Sequence, residues 1–222
     1  MAINLVKGQR IDLKKSTGTA LNDFCVGVNW GGIVVSSGFL GLSKTVQDLD
    51  LDLSAALLNT QGALCDHIYS PLYKPGALAK FGLPLGKLTA ASGALRHTGD
   101  DRAGDSGGDD GLDNEIMTVS LNQVPAEVGQ IVFFLNSCGN EDFSMIPYAK
   151  IRMFEGTPTS VKEIFASYNV AAEPQYRGKR ALILGRLYRH GSEWKFAAIG
   201  DPTDDGFVGE TVVRIAKEYN HS

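Results

Sequence analysis

The run Asp48-Leu49-Asp50-Leu51-Asp52-Leu53 alternates with period two. Only an extended chain sends every second side chain to the same side. On a strand the three leucines therefore share one face and the three aspartates the other, whereas a helix would scatter both sets around its axis. The leucine face needs a core. The aspartate face is a column of like charges about 7 Å apart. Two readings follow: a solvent-facing edge whose charge deters aggregation, or a wall of oxygen ligands.

The same short period recurs along the chain. Residues 3–6 and 11–13 flank a Lys7-Gly8-Gln9-Arg10 turn and read as an opening hairpin. Further strands are predicted over 24–30, 67–69, 116–121, 130–136, 149–155, 162–170, 180–189 and 193–199. Gly31-Gly32 breaks the pattern, and residues 33–42 read as a Gly- and Ser-rich loop. Residues 74–87, with two prolines and three glycines, read as a long connection. Only the C-terminus is plainly helical, with Val212, Ile215, Ala216 and Tyr219 on one face. Many short strands separated by turns predict an all-β fold: a β-sandwich of mainly antiparallel strands with a short C-terminal helix. No internal repeat or shift in composition marks a boundary, so one domain over residues 1–222 is expected.

The charge is uneven. Between Asp100 and Glu115 lie seven acids (Asp100, Asp101, Asp105, Asp109, Asp110, Asp113 and Glu115) and one base, Arg102. That segment carries −6 while the 222-residue chain carries −4, so the remainder carries +2. Like charges ~4 Å apart repel by about 1 kcal/mol in water and several times more near a protein surface. The segment either stays solvated or folds around something positive.

Composition narrows the class. With 43% hydrophobic and 21% charged residues, the chain is ordinary for a soluble globular protein. No apolar run approaches the ~20 residues of a membrane span. The N-terminus lacks the apolar stretch of a secretory signal. Cys25, Cys65 and Cys138 are odd in number and widely spaced, against a disulfide framework or a cysteine zinc site. A reducing, cytoplasmic setting is expected. The mild negative charge gives no footprint for nucleic acid.

The string GDSGG at residues 104–108 raises a trypsin-like protease, which needs a serine, a histidine and an orienting acid. Ser106 sits mid-chain, only His67 and His97 precede it, and Asp109 follows the string. A ring of carboxylates would also disfavour the oxyanion that such an enzyme stabilises. Ser106 reads as a small residue in a tight acidic turn. Aspartates among glycines suit a hard cation instead, because calcium takes about 6–8 oxygens from carboxylates, carbonyls and water. The register is neither that of an EF-hand nor of a nonapeptide β-helix repeat.

Several strings together become specific: NLVKGQRIDL at 4–13, VGVNW at 26–30, DLDLSAALL at 50–58, HTGDDRAGD at 97–105, GDDGLDNE at 108–115, VSLNQVP at 119–125 and LGRLYRHGSEWKFAAIG at 184–200. They resemble the TerD family of tellurium-resistance and stress-response proteins, most nearly its TerX/TerZ-like branch. The resemblance implies a β-sandwich that binds calcium through aspartate-rich loops. It places the family's DxD pair on Asp50 and Asp52 and the start of its acidic loop on Asp100 and Asp101. Asp105, Asp109, Asp110, Asp113 and Glu115 match further acidic positions. Two calcium ions are expected, three at most. Many relatives carry Asp after the strand-ending tryptophan; here that position is Gly31, leaving Asn29 or a carbonyl to substitute.

What the resemblance implies for function is a calcium-dependent binding or scaffolding module without catalytic residues. Its expected partners are other stress-operon proteins, a membrane-associated complex among them, and no nucleic acid. Two rivals use the same carboxylates. One is a metal-dependent hydrolase with His97 as base; the other is a C2-like module that binds phospholipid through calcium. His97 otherwise reads as a structural hydrogen-bonder and Cys138 as a small turn residue. Asn136 is a further oxygen donor, and Trp194 and Phe196 are expected to pack the sandwich.

Overall fold

The structure is a computed structural model that describes residues 3–15, 18–37, 43–171 and 174–220. Its strands, in chain order, are β1 (Ile3–Asn4), β2 (Arg10–Asp12), β3 (Asp23–Trp30), β4 (Ile33–Ser37), β5 (Ser43–Gln47), β6 (Leu51–Asn59), β7 (Leu64–Ile68), β8 (Thr89–Ala90), β9 (Leu95–His97), β10 (Glu115–Ser120), β11 (Val128–Ser137), β12 (Tyr148–Thr157), β13 (Ser160–Ala171), β14 (Ala181–His190) and β15 (Glu193–Thr203). Two α-helices are described, α1 (Pro75–Ala79) and α2 (Val208–Glu218).

Two sheets face each other. The front sheet has seven strands in the order β1-β13-β12-β3-β10-β9-β8, and the back sheet six in the order β2-β15-β14-β11-β6-β7. Pairing is antiparallel except between β1 and β13. Between the sheets, Val26, Val28, Trp30 and Met153 of the front meet Leu51, Leu53, Leu57, Phe133 and Leu184 of the back. This is the predicted β-sandwich.

The middle of the back sheet is buried on both faces. Ala56, Leu58, Val132, Phe134 and Ile183 point away from the sandwich core and pack beneath Val208, Val212 and Ile215 of α2, with Tyr69 and Leu78. A strand covered on both faces needs apolar residues at every position, which is why AALL and VFFL run on where alternation would stop. Trp194 and Phe196 pack the core as expected.

Two local expectations need correction. Residues 3–13 do turn at Lys7-Gly8, where Gln9 N–H donates to Val6 O at 3.0 Å, but they form no hairpin. β1 joins β13 of the front sheet and β2 joins β15 of the back, so the turn passes the chain from one sheet to the other. The segment read as a loop over 33–42 contains β4, which pairs with β5 in a separate two-stranded ribbon; residues 38–42 lie outside the described residues.

Candidate metal centre

The sandwich brings its carboxylates to one end. There β6 and β10 begin, while β9, β3 and β11 finish. The alternation in the aspartate-leucine run does what period two requires. Leu49, Leu51 and Leu53 are all buried in the inter-sheet core. Asp52 is 4% exposed and Asp50 half-buried, while Asp48 stays in solvent ahead of the strand. The column is therefore no solvent-facing edge, because β6 lies between β11 and β7 and carries cover on both faces.

The acidic loop meets this column. Carboxylate oxygens of Asp52, Asp100 and Glu115 lie within 4.8 Å of one another, and so do ligand atoms of Asp50, Asp52 and Cys138. Asp52 is common to both groups. Cys138 Sγ donates to Asp52 Oδ2 at 2.9 Å and lies 3.4 Å from the Tyr73 hydroxyl. Cys138 thus sits beside the centre rather than in an idle turn. A cavity of about 10 Å³ adjoins the cluster, lined in part by Asp52, His97, Asp100 and Glu115.

Electrostatics at this end are unfavourable without a cation. Burial first, then the like charge of Asp100, pushes the Asp50 carboxyl up to about 6, against the opposing pull of Arg102. Burial also pushes Asp52 up to about 8, with Asp100 and Glu115 adding to it, although hydrogen bonds from Cys138 and Tyr73 pull the other way. Asp50 Oδ1 is buried without a hydrogen-bond partner, and so is His97 Nε2. Four carboxylates, one with an orphaned oxygen, fit a hard divalent cation.

Other sequence-predicted residues serve the loop itself. Glu115 Oε1 accepts from Asp101 N–H at 3.0 Å, and Asp101 Oδ1 accepts from Ala103 and Gly104 N–H at 3.0 and 3.2 Å. Asp105 accepts from the Tyr148 hydroxyl at 2.8 Å, Asn114 Nδ2 at 3.1 Å and Asn29 Nδ2 at 3.2 Å. Burial would raise its pKa, but those donors hold it below the usual carboxylate range. Asp110 is exposed and accepts from Leu112 N–H at 2.8 Å. Asp109 pairs with Lys150, and Asp113 takes Arg152 Nε at 2.8 and 2.9 Å. Something positive does sit among the acids: two bases from β12, and Arg102 at 4.0 Å from Asp50.

Lys150 and Arg152, with Tyr148 and Tyr73, are not legible as site residues in the sequence. The first three lie about forty residues from their partners, and the only signal for the two bases is the +2 left over outside the acidic segment. Gly31 has a local reason. A Cβ built there would lie 2.6 Å from the Tyr148 ring, so an Asp at this position would displace the tyrosine that donates to Asp105. Asn29 spends its amide on Asp105 and on the Leu112 carbonyl. Asn136 donates to Thr211 Oγ1 at 2.9 Å and fastens α2 rather than the centre. His97 is buried, with Nδ1 accepting from Gly99 N–H at 3.0 Å and Nε2 3.3 Å from Glu115. Ser106 is exposed in the loop.

Fold and site together define a β-sandwich protein with a carboxylate centre at one end. Residues 1–214 match the TerD domain, and the chain belongs to that family. It is 34% identical over 220 residues to stress response protein SCP2 of Bacillus subtilis (strain 168), covering 96% of this chain and 99% of that protein. It is 30% identical to tellurium resistance protein TerX of Serratia marcescens, covering 94% of this chain and 97% of that one. A crystal structure of a homologue of telluride resistance protein (TerD) from Streptomyces coelicolor A3(2) shares the fold, with a TM-score of 0.59, 14% identity and coverage of 91% of this chain and 99% of that chain.

Proposed function

We propose that this TerD-family protein is a calcium-dependent binding or scaffolding module of the bacterial stress response, acting in the cytoplasm. The observation that carries the reading is the convergence of Asp52, Asp100 and Glu115 from distant segments onto one recess, with Asp50 adjoining them through Asp52. A fold that needs carboxylates only for solubility leaves them on the surface. Here two of the four side chains are nearly fully buried, and burying like charges is costly unless a counter-charge arrives.

Asp50, Asp52, Asp100 and Glu115 would hold one ion. A hard cation supplies positive charge and tolerates the irregular, oxygen-rich shell that loops provide. The outer loop, with Asp101, Asp105 and Asp110 and its backbone carbonyls, holds the remaining donors for a second. Binding would expel protons from Asp50 and Asp52 and tie the loop to β6, presenting an ordered surface to other stress-operon proteins. The relatives named for tellurium resistance and stress response support this setting.

The test is a melting curve in millimolar calcium against chelator. At free calcium 100 times Kd, linkage adds about 2.7 kcal/mol per site. For a chain of this size the shift is roughly 5–11 °C. Calcium should act above magnesium, and Asp52→Asn should abolish most of the shift. Identical melting in calcium and chelator would sink the reading.

A further inference from the structure

The outer face of the back sheet changes character across its width. The apolar layer under α2 draws on β6, β11 and β14 and includes no residue of β2. Toward the β2 edge the outward side chains become polar and basic. Strand register puts Ala197 of β15 opposite Arg10 of β2 on one side and Arg186 of β14 on the other. The neighbouring row on the same face reads Asp12, Lys195, Tyr188. Strands stand about 4.8 Å apart, so the two arginines rise about 10 Å apart from a floor of one alanine.

The result is a trough with two recesses, of about 350 and 470 Å³, both lined by Arg10 and Arg186. Arg186 is held in position. It donates to Gln130 Oε1 at 2.8 Å and to Tyr219 O at 3.4 Å, and its guanidinium lies 5.4 Å from the Tyr188 ring centroid. Burial and then the charge of Arg10 hold its pKa below the ordinary arginine value, which marks two like charges facing each other. Lys195, paired with Asp12 at 3.2 Å, adds a third cation. The recess with Lys195 holds three cations against Asp12; the other adds Lys7, Asp201 and Glu218, so with histidine counted neutral the whole trough keeps one net positive charge in a chain whose formal charge is −4.

Guanidinium forks match the oxygens of phosphate groups and bind them by charge-assisted pairs. Two forks across a narrow, concave floor suit adjacent phosphates better than a single carboxylate. We propose that the trough between Arg10 and Arg186 is a binding site for a small, soluble phosphate-bearing molecule, separate from the carboxylate centre at the end of the sandwich.

The probe is inorganic pyrophosphate, titrated calorimetrically into metal-stripped protein in a low-salt buffer without chelator. Binding with Kd at or below about 1 mM is expected. Arg10 is exposed, so Arg10→Ala should fold normally by circular dichroism and still weaken binding about tenfold or more. Lys80→Ala removes the same charge from an exposed position outside the trough and should leave binding within about twofold. Asp52→Asn should also leave it unchanged. No pyrophosphate binding, or equal binding by Arg10→Ala and the parent, overturns the proposal. So does loss of binding in Asp52→Asn, which would place the anion at the carboxylate centre. Binding to phosphatidylserine vesicles without binding to pyrophosphate would overturn it in favour of a membrane surface.

Discussion

The Glu115 carboxylate joins the two sheets: its Oε2, on front strand β10, accepts from the backbone N–H of Leu53, on back strand β6, at 2.7 Å. Its Oε1 accepts from Asp101 N–H and fixes the start of the acidic loop. One side chain therefore sets the spacing between the aspartate column and the loop that approaches it.

Glu115→Ala should be severely destabilising for that reason. Leu53 N–H is buried and would lose its acceptor, and Asp101 N–H would lose one too. Each orphaned donor costs about 1–3 kcal/mol, so a loss of about 2–6 kcal/mol in urea unfolding is expected. Glu115→Gln keeps one carbonyl oxygen and should lose about half as much. Equal stability of Glu115→Ala and the parent would show that the bridge does not form.

The pair Asp113–Arg152 lies over Gly27 of β3, where an added Cβ would sit 2.2 Å from Asp113 Oδ2. The Asp113 side chain is 1% exposed. Burial raises its pKa even though Arg152 pulls it down. Arg152→Ala should therefore cost about 3–5 kcal/mol, chiefly by stranding a buried charge. Adding Asp113→Asn should restore part of the loss, because the stranded charge goes with it. A double variant as unstable as the sum of the singles would contradict this.

Much of the fold was legible because period two is a strong signal. The leucines of the aspartate-leucine run, the FCVGVNW strand and the C-terminal helix stand where the pattern put them. Sheet membership was not legible. Residues 3–6 and 11–13 alternate alike whether they pair with each other or with β13 and β15. At the site, residue type showed which side chains seek a cation, but not which already have one. Asp109 and Asp113 look like Asp50 and Asp52 in sequence. They differ because β12 carries Lys150 and Arg152 past the former pair, while the latter meet in one group at Cys138 and Asp52 shares a second with Asp100 and Glu115.

Stability without a cation should fall as pH rises through neutrality. The folded pKa values of Asp52, about 8, and Asp50, about 6, lie above the ordinary carboxylate range. A folded pKa raised above the unfolded one gives stability that is full below the unfolded value and is lost as pH climbs through the folded value. Urea midpoints in chelator should thus decline from pH 5 to 9. Asp52→Asn should flatten the upper part of that decline, and calcium should reverse it. A chelator profile that is flat or rising over this window would count against the buried pair.

The sharpest test of the centre is whether β6 and the loop share one ion. Asp52 projects from the strand and Asp100 from the loop, yet their oxygens fall in one group with Glu115. If both coordinate the same cation, removing either breaks the same shell. Asp52→Asn and Asp100→Asn should each weaken calcium binding about tenfold or more, and the double variant should lose less than the sum, since a broken site cannot be broken again. Asp110 is the contrast: exposed, its Oδ1 accepting from Leu112 N–H, outside both carboxylate groups. Asp110→Asn combined with Asp52→Asn should give additive losses, or none from Asp110. Calorimetric titration of the three single variants and both doubles separates the cases. Additive losses for Asp52 with Asp100 would mean that the strand and the loop bind their cations independently.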